Sequence, residues 1–469
     1  MRPVSTGKVS LFRMFSRYFS LGLVWAVVSV VCFGRMAPVA ANPVDLFGAG
    51  AVSGGAGDAV TATCVGAECL YFNPGFLSLD SGPRLMAGVT GQFSSFSTPQ
   101  GTVSISDPFY SHVGASVLPP FGGFLKDRLW VGIYIAAPSR EISWVRMHTP
   151  SEPFYPYYEN RSQRLMIIPG LSYKIMDSPV LGQWALGLGV NYFAGFDGGM
   201  VGSEGATRAM EARVAFELKG LFGLNAGLAW RRGPWSAGVT YRQAFGVDFH
   251  TVAFNHVAGT DIDMEITSQA LYSPHTFQWG GAYRAGATTF SFDVVEQLWS
   301  YWNGPYVDLR SQMPMVGELS GVIPYNRFRN TLGFRAGLVH RHSDALTFRG
   351  GVGFDPSFVA TAQTGITNLL DAHKLTFSGG VSWNLNASLT LHAFGRLQFL
   401  LPVTHRKKTT ELTCSAEVPD ERSDHLLDEW PCDPDDPTTE GFQTSNPGYP
   451  SVTASGFVFM TGLTLEVLP

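Results

Sequence analysis

The residues that could carry out covalent chemistry are scattered along this chain and form no recognisable motif. The sequence contains no GxSxG nucleophile elbow, no HExxH metal-binding helix and no Walker phosphate-binding loop. Its aspartates and histidines are spread over many separate segments. The pattern therefore predicts no catalytic, cofactor or metal site. An enzyme whose site is assembled from distant residues stays open as an alternative.

The five cysteines indicate an exported protein with disulfide bonds. Cys32 lies near the N-terminus, and the other four form two local pairs, Cys64 with Cys69 and Cys414 with Cys432. Secreted chains use even sets of cysteines in disulfides. The pairs are far apart and lack the CxxC spacing of a zinc site, so a metal site is disfavoured. Local pairing is the simplest of the three possible connectivities, and the choice between them stays open.

Residues 1–41 are predicted to be a secretory signal peptide. Lys8, Arg13 and Arg17 precede an apolar run over residues 18–33, and Val39-Ala40-Ala41 offers small residues for cleavage. Cleavage would remove five basic residues (Arg2, Lys8, Arg13, Arg17 and Arg35) and no acidic ones, which changes the formal net charge from −5 to −10. An acidic mature chain is a poor partner for nucleic acid. A retained membrane anchor is the alternative.

The composition favours a sheet with one face in lipid. Charged residues make up 15% of the 469 residues, aromatic residues 13%, and 53 residues are glycine. An average soluble protein has about 25% charged residues. The mean hydropathy is only +0.08, which is too low for a bundle of membrane helices. A transmembrane β-barrel combines modest hydropathy with alternating apolar residues.

Alternation of apolar with polar or small residues runs from about residue 84 to residue 406. In residues 346–354, for example, Phe348 and Val352 share one face while Thr347 and Arg349 share the other. Segments of this kind predict an all-β, antiparallel transmembrane barrel of about 14 strands. The predicted strand centres are residues 89, 114, 132, 168, 187, 215, 240, 277, 294, 334, 351, 378, 396 and 461.

The links between these segments differ in length. Short turns are predicted at Arg232-Gly233-Pro234, Arg284-Ala285-Gly286, Ser343-Asp344 and Asn384-Leu385-Asn386, and long links at 303–326 and 407–453. Outer-membrane barrels have short periplasmic turns and long external loops. The acidic, proline-rich segment 407–453 is therefore predicted to be an external loop closed by Cys414–Cys432. Its acidic residues lack the spacing of a calcium-binding EF-hand.

Residues 42–82, which precede the first strand, have a different character. The stretch is rich in Gly and Ala and shows no period-2 pattern until it ends in Asn73-Pro74-Gly75-Phe76-Leu77. Proline keeps the preceding residue out of the helical region, and small residues let the backbone pack closely in a confined space. We expect residues 42–82 to form a hatch inside a barrel formed by residues 83–469, and Asn73-Pro74 to set the joint between them.

This motif and several later segments resemble the FadL family of outer-membrane transporters for long-chain fatty acids and other hydrophobic compounds. Members of that family have a Gly/Ala-rich hatch that ends in an Asn-Pro-Ala-x-Leu-like motif, and here Gly75 replaces the usual alanine. Lower-specificity similarity covers residues 129–138, 186–199, 238–245, 280–302 and 334–358. Together these segments span nearly all of the mature chain.

The resemblance implies a monomeric importer in the bacterial outer membrane, without a cofactor, that binds a hydrophobic small molecule and contacts membrane lipid. It implies capture from outside, a shift of the hatch and lateral release through a gap in the wall near the third strand. A porin-like diffusion channel and an adhesive or structural barrel are the alternatives. Fatty acid, alkane and aromatic hydrocarbon all fit as substrates.

Candidate ligand contacts follow from the polar faces of the strands and from the hatch. An acidic ligand would need a basic partner in the lumen, for which the candidates are Arg242, Arg335, Arg349 and Arg396, with Phe47 and Phe72 as apolar contacts. Arg335 and Arg349 are expected to lie close together across one hairpin and to hold a carboxylate between them. The alternative is that each arginine solvates the lumen or pairs with an acid such as Asp293. Five tryptophans, Trp184, Trp235, Trp279, Trp299 and Trp302, are interpreted as anchors in the membrane interface, and the hatch aromatics Phe47, Tyr71, Phe72 and Phe76 as packing residues.

Overall fold

The computed structural model describes residues 44–80, 82–105, 108–139, 153–159, 165–204, 210–257, 260–313, 317–321, 328–363, 368–407, 449 and 451–468. The predicted signal peptide and all but a few residues of the predicted loop over 407–453, including Cys414 and Cys432, lie outside these ranges.

Fourteen antiparallel strands form one closed barrel. In chain order they are β1 (Arg84–Thr98), β2 (Phe109–Val117), β3 (Leu129–Pro138), β4 (Met166–Ser178), β5 (Gly182–Glu204), β6 (Met210–Arg232), β7 (Trp235–Arg242), β8 (His275–Ala285), β9 (Thr288–Leu298), β10 (Thr331–Arg341), β11 (Leu346–Asp355), β12 (His373–Asn384), β13 (Leu389–Lys407) and β14 (Ser451–Val467). Each strand pairs with the next, and β14 also pairs with β1, which closes the sheet. The predicted strand number is confirmed, and each predicted centre lies in a different strand.

The two faces of each strand differ as the alternation predicts. On β1, Leu85, Val89 and Phe93 are exposed by 46%, 52% and 55%, whereas Met86 and Gln92 are buried. The same holds on β10 and β11, where the outward residues are Leu332, Phe334, Leu338, Phe348 and Val352. An apolar outer face on a closed barrel is the surface that lipid solvates. The protein therefore lies in a bacterial outer membrane.

Phe328 departs from this pattern. In the alternation over residues 327–341, Phe328 has the same parity as Leu332 and Phe334, which predicts that it faces lipid, but it is only 5% exposed. It precedes β10, which begins at Thr331, so the period of the strand does not apply to it. Its ring instead stacks on Trp302, with 4.4 Å between centroids.

The two rims of the barrel differ as expected. The four predicted short turns join β6 to β7, β8 to β9, β10 to β11 and β12 to β13, and they mark the periplasmic rim. At the other rim, the predicted link over residues 303–326 is wrong in part, because it contains strands Tyr306–Met313 and Gly317–Gly321. These pair with Phe245–Val257 and Thr260–Ser273 in a separate four-stranded sheet. The strands Phe245–Val257 and Thr260–Ser273, which are only two residues apart in sequence, were not predicted.

The remaining elements are short. Three α-helices, α1 (Val44–Phe47), α2 (Ala51–Gly55) and α3 (Cys69–Phe72), and two 3-10 helices, Gly66–Glu68 and Pro74–Leu79, lie in the N-terminal segment. Further 3-10 helices cover Gly123–Leu125 and Trp299–Tyr301, and short strands cover Gly101–Val103 and Ala362–Gln363. Among the described residues, no helix is both long enough and apolar enough to span a membrane.

Residues 44–80 lie inside the barrel and are called the hatch below. Phe47, Leu70, Phe72, Phe76 and Leu77 of this segment are all at most 1% exposed. The side chains around them come from the inward faces of the strands, as the hydrogen bonds described below show. A segment with so little secondary structure can be buried only if the wall supplies partners for its backbone.

Candidate transport pathway

Asn73 joins the hatch to the barrel wall. The residue is fully buried, and its Nδ2 donates to the carbonyl oxygens of Thr61 in the hatch and Leu228 on β6, both at 3.1 Å. Its Oδ1 accepts from the backbone N–H of Gly75 at 3.0 Å, which caps the 3-10 helix that begins at Pro74. A single carboxamide thus fixes the local turn, the hatch and the wall to one another. The expected role of Asn73-Pro74 as a moving joint stays a prediction, since here the pair is firmly held.

Glycines on three neighbouring strands make room for this motif. A Cβ atom on Gly227 of β6 would lie 2.1 Å from Asn73 Oδ1, one on Gly238 of β7 would lie 2.4 Å from Asn73 Nδ2, and one on Gly187 of β5 would lie 2.1 Å from the carbonyl carbon of Pro74. Real Cβ atoms do not approach so closely. We call Gly187, Gly227 and Gly238 the glycine seat, because only residues without a side chain let the hatch backbone reach the wall here.

The hatch carries its own glycine at the same contact. A Cβ atom on Gly75 would lie 3.0 Å from both Ala229 N and Gly227 O and 3.1 Å from Ala185 O. These are rigid backbone atoms of the wall. The replacement of the usual alanine by Gly75 therefore brings the hatch closer to β5 and β6 than an alanine would allow without movement.

Polar side chains of the wall satisfy the carbonyl groups of α3. Asn225 Nδ2 donates to the carbonyl oxygens of Leu70 at 2.5 Å and Tyr71 at 3.1 Å, and Thr240 Oγ1 donates to that of Phe72 at 2.7 Å. A buried carbonyl without a partner would cost about 1–3 kcal/mol. Inward polar residues on β6 and β7 therefore hold the hatch rather than line an open channel.

Acidic groups make further links between the hatch and the wall. Asp293 Oδ2 on β9 accepts from Thr61 N at 2.9 Å and from Thr61 Oγ1 at 2.7 Å. Asp58 of the hatch pairs with Arg396 of β13 at 2.7 Å. Asp293 lies on β9, two strands from the glycine seat, whereas Arg396 on β13 lies on the opposite side of the lumen, so the hatch is held from both sides.

Ionic contacts also fix the segment that connects the hatch to β1. Arg84, the first residue of β1, pairs with Asp80 at 2.8 Å and with Glu466 of β14 at 2.5 Å. Asp80 also accepts from the backbone N–H of Gly66 at 2.8 Å. The end of the hatch is therefore tied to the strand pair that closes the barrel.

Glu68 is a buried acid within the hatch itself. Its Oε2 accepts from the backbone N–H of Ser53 at 2.9 Å, which connects the 3-10 helix at residues 66–68 to α2. Burial raises the pKa of this carboxyl group to about 7, against the lowering effect of its hydrogen bonds with Ser53. The folded hatch thus favours the protonated form of Glu68.

The four predicted arginines are all directed into the lumen, but at separate places. Arg242 lies over the ring of Tyr71 at 4.4 Å and donates to Gln278 Oε1 at 3.3 Å. Arg396 pairs with Asp58 of the hatch, as described above. In this state, both side chains act as contacts between the wall and the hatch, and a ligand-binding role for them stays a prediction.

The expected clamp of Arg335 and Arg349 is wrong for this structure. The register of the β10–β11 hairpin places Arg335 opposite Gly353, and Arg349 opposite Val339. Arg335 lies 3.8 Å from Asp355, and Arg349 donates to Ser382 on β12. Four residues of strand separate the two positions, which is about 13 Å at 3.3 Å per residue. The alternative partner, Asp293, lies opposite Arg335 but is hydrogen-bonded to Thr61.

The aromatic side chains of the hatch pack against the wall and against other hatch residues, and two hatch cysteines lie side by side. Phe47 stacks on Tyr110 of β2 with 4.9 Å between centroids. The hydroxyl of Tyr71 donates to Asp45, and Arg231 lies 5.6 Å from the ring centroid of Phe76. The Cα atoms of Cys64 and Cys69 lie 5.2 Å apart.

A cap of aromatic side chains closes the external mouth, and sequence reasoning missed it. Phe154 forms a parallel bridge with Leu369, and the Tyr158 hydroxyl donates to Gln398 Oε1 of β13 at 2.8 Å. Trp299 stacks on Phe358 with 3.9 Å between centroids. The apolar members of this cap are Phe154, Tyr272, Trp299, Trp302, Phe328, Phe358, Val359 and Leu369. They come from links between strands, where no period marks them in the sequence.

The interface interpretation of two tryptophans is therefore wrong. Trp299 and Trp302 are 1% and 3% exposed inside the cap. Trp235 and Trp279 do lie outward, exposed by 55% and 39%, and Trp184 packs beside Trp230 at 6.2 Å. The 3-10 helix Trp299–Tyr301 turns the chain away from the barrel surface directly after β9.

A buried ion pair lies beneath the cap. Lys374 Nζ, at the start of β12, is 2.7 Å from Asp371 Oδ1 and 4.6 Å from the ring centroid of Tyr157. Asp371 also accepts from the backbone N–H of Phe358 at 2.9 Å. This lysine places a positive charge directly under an apolar surface, and no spacing pattern in the sequence indicated it.

A cavity of about 200 Å³ lies on the periplasmic side of the hatch. Its lining includes apolar hatch residues such as Val52 and Val60, and residues Gly233 and Pro234 of a short periplasmic turn. Arg231, Arg284 and Arg349 also line it. The cap, the hatch and this cavity thus follow one another from the external to the periplasmic end of the barrel.

Comparison with solved structures identifies the barrel type. A FadL homologue from Pseudomonas aeruginosa aligns with 93% of this chain and 100% of its own at a TM-score of 0.53 and 13% identity. The CymD monoaromatic hydrocarbon channel aligns with 92% of this chain and 99% of its own at a TM-score of 0.50 and 14% identity. The chain has the FadL-type fold. The sequence itself matches no protein-family model and no curated protein.

The third strand of this FadL-type barrel is fully paired along its described length. Residues 131–138 of β3 pair with β2, and residues 129–136 pair with β4, in both cases without a register shift. The irregular place lies one strand further on. The ladder between β4 and β5 passes from Ile167–Tyr192 directly to Gly170–Gly189, which leaves out Ile168 and Pro169. Proline has no N–H to donate to a ladder.

We predict that Gly227→Ala will unseat the hatch. The added methyl group overlaps Asn73 Oδ1, and overpacking of this kind costs about 1–3 kcal/mol. In planar bilayers, the variant should show a higher conductance for small ions than the wild type, because part of the population has a displaced hatch. Gly281→Ala is the matched control, since a Cβ atom on Gly281 meets no atom within 4 Å. Equal conductance of both variants, with both barrels folded, would contradict the role of the glycine seat.

Proposed function

We propose that this protein imports hydrophobic compounds across the bacterial outer membrane, with long-chain fatty acids and hydrocarbons as the candidate substrates. The observation that carries the proposal is the filled lumen. The hatch occupies the inside of the barrel, and wall side chains satisfy its backbone, as between Asn225 and Leu70. A lumen occupied in this way favours a solute that binds inside the barrel and moves past the hatch over one that diffuses freely through an open channel.

The aromatic cap supports a hydrophobic substrate. A hydrophobic molecule needs apolar contacts along its whole route, because each CH₂ group moved from an apolar site into water costs about 0.8 kcal/mol. Trp299, Phe358 and Phe154 offer such an environment at the external mouth. Lys374 lies below them and could bind the head group of an acidic substrate, in exchange for its contact with Asp371. The proposal also takes residues 1–41 as a cleaved signal and Cys64–Cys69 as a disulfide formed after export.

The neighbouring structures agree with this class of substrate. One of the two structural neighbours described above, CymD, is a monoaromatic hydrocarbon channel. A porin-like diffusion channel would need an open polar lumen, which the buried hatch disfavours. An adhesive role rests only on the acidic segment 407–453, nearly all of which lies outside the described residues. Of the three candidate functions, import of a hydrophobic compound therefore explains both the buried hatch and the aromatic cap.

Uptake measurements test the proposal directly. Cells with and without the protein are given labelled oleate, labelled toluene and labelled arabinose, and initial rates are compared. We expect faster entry of at least one of the two hydrophobic compounds and no change for arabinose. Faster entry of arabinose alone would support a diffusion channel, and no change for any of the three would support an adhesive or structural role.

We further propose that neutral hydrocarbons leave laterally between β4 and β5. Pro169 interrupts the pairing of these strands. The hatch residue Leu70 covers this place from inside, because a Cβ atom on Gly170 would lie 2.6 Å from its Cδ2. A shift of α3 would uncover a stretch of wall that already lacks ladder hydrogen bonds. This position is one strand beyond the one that the family resemblance implies.

Pro169→Ala tests the lateral route. The substitution returns a backbone N–H to the interrupted ladder, so it should close the wall and lower toluene uptake while the barrel still assembles. Pro120→Ala, in the exposed link between β2 and β3, is the control and should leave uptake unchanged. If Pro169→Ala imports toluene at the wild-type rate, hydrocarbons leave by another way.

A further inference from the structure

The cavity beneath the hatch combines apolar and cationic walls in a way that the hatch contacts do not require. Its apolar part includes Val52, Val60 and Val65 from the hatch and Val339 from β10. Its charged part consists of Arg231, Arg284 and Arg349, and no acidic residue is among the residues that line it. Both parts face one space of about 200 Å³.

Strand register brings two of these arginines to one level of the barrel. Arg284 on β8 lies opposite Thr289 on β9, Thr289 lies opposite Val339 on β10, and Val339 lies opposite Arg349 on β11. All four residues line the cavity. They therefore form one transverse row over four adjacent strands, with a cation at each end and a methyl-bearing surface between them.

No ion pair within 4.0 Å joins Arg231, Arg284 or Arg349 to a carboxylate in the described part of the chain. Within the described part of the chain, Arg349 donates to the hydroxyl of Ser382, and Arg231 donates to the carbonyl oxygen of Leu79 at 2.7 Å. The acids nearest Arg349 have other partners, because Glu68 accepts from Ser53 N and Glu466 pairs with Arg84. Three guanidinium groups around one cavity repel one another, and an anion placed among them would remove this repulsion.

The size of the cavity limits what it can hold. A space of about 200 Å³ has room for several groups of the size of a water molecule, each of which takes roughly 30 Å³ in the liquid. It accommodates a carboxylate and the first methylene groups of a chain, but not a long-chain fatty acid as a whole. The rest of such a ligand would lie along the apolar underside of the hatch.

An ionised head group takes the lateral route proposed for neutral hydrocarbons only at an added electrostatic cost. A charge in the hydrocarbon core of a bilayer is costly by several kcal/mol, whereas the periplasmic rim is open to water. From this difference and from the lining of the cavity, we propose that the cavity is an exit-side site that binds the carboxylate of an anionic amphiphile after it passes the hatch. The inference rests on the proposed function and adds a second, charge-selective exit.

Photoaffinity labelling of the full-length mature chain tests this site. The probes are a palmitic acid that carries a diazirine near its carboxyl end and the corresponding fatty alcohol. Labelled peptides are identified by mass spectrometry in the wild type, in Arg284→Gln/Arg349→Gln and in the charge-preserving Arg284→Lys/Arg349→Lys. The control is Arg341→Gln at the exposed β10–β11 turn, where the side chain is 65% exposed and pairs with Asp344. Heat-modifiable migration on gels confirms that each variant is folded.

We expect the acid to label residues 231–236 and 284–289 about tenfold more than the alcohol does, since each charge-assisted hydrogen bond is worth at least that factor. The Gln pair should lose this preference, and the Lys pair and Arg341→Gln should keep it. Equal labelling by acid and alcohol, or unchanged labelling of the Gln pair, would overturn the site. Loss of acid labelling in millimolar inorganic phosphate would assign the cavity to small anions and would overturn the amphiphile as its ligand.

The same experiment separates this inference from the proposed function. If either probe labels residues of the cap or the upper face of the hatch but the cavity shows no preference for the acid, import of hydrophobic compounds stands and the exit-side site fails. If neither probe labels any lumenal residue and uptake of oleate and toluene is unchanged, the proposed function itself fails.

Discussion

The backbone of the hatch must find hydrogen-bond partners inside the barrel, and most features of the lumen follow from that requirement. The hatch has only short helices, so many of its carbonyl groups cannot be satisfied within it. Wall side chains donate hydrogen bonds to these carbonyl groups. Asn225 and Thr240 donate to carbonyl oxygens of α3, and Ser172 donates to that of Gly75 at 2.9 Å. Residues without side chains then let the backbone approach, at Gly187, Gly227 and Gly238. The polar interior of this barrel is thus a complementary surface for its own N-terminal segment.

The contacts between the hatch and the wall are not equally complete. Asn73 is satisfied in three directions, whereas among the described residues Oδ1 of Asp58, Oδ1 of Asp293 and the carboxamide of Asn191 find no protein partner. Glu68 is buried in a place that disfavours its charged form. A plug held by ionisable and partly satisfied contacts can be displaced at a smaller cost than a fully satisfied core. The docked hatch is therefore held less firmly at these contacts than at the glycine seat.

The sequence predicted the barrel well because lipid imposes a period of two. Residues such as Leu85, Val89 and Phe93 must face outward, and this requirement located all fourteen strands. This period-two pattern does not apply to segments outside the membrane, where the sequence predicted less. The strands Phe245–Val257 and Thr260–Ser273 pair outside the barrel sheet, and the cap residues Trp299, Trp302 and Phe328 lie between strands, where no period applies.

The candidate site was less predictable than the fold for two physical reasons. Across a turn centred at Ser343-Asp344, Arg335 and Arg349 would be three residues out of register, and the observed pairing of His340 with Phe348 makes this four. The two side chains are therefore too far apart along the hairpin to share one carboxylate. Partner choice in the lumen also depends on strands distant in sequence. Arg396 is bound by Asp58, and Asn73 of the hatch by Leu228, and neither contact has a local pattern that would reveal it.

The central claim is that the hatch must move for a hydrophobic compound to pass, and a reversible lock tests it most directly. A Cβ atom on Gly337 of β10 would lie 3.2 Å from the Cβ atom of Ala59 in the hatch, close to the spacing of about 3.5–4.5 Å in disulfides. The same atom would lie 2.8 Å from the carbonyl oxygen of Ala56 in the hatch, so Gly337→Cys alone serves as a control for the added side chain. Toluene uptake is measured for Ala59→Cys/Gly337→Cys after oxidation and again after reduction, with Gly337→Cys and the wild type treated identically. The account predicts that uptake falls to the level of cells without the protein when the bond is formed and recovers when it is reduced. Uptake at the same rate in the oxidised and reduced states, with the bond confirmed by mass spectrometry, would contradict it.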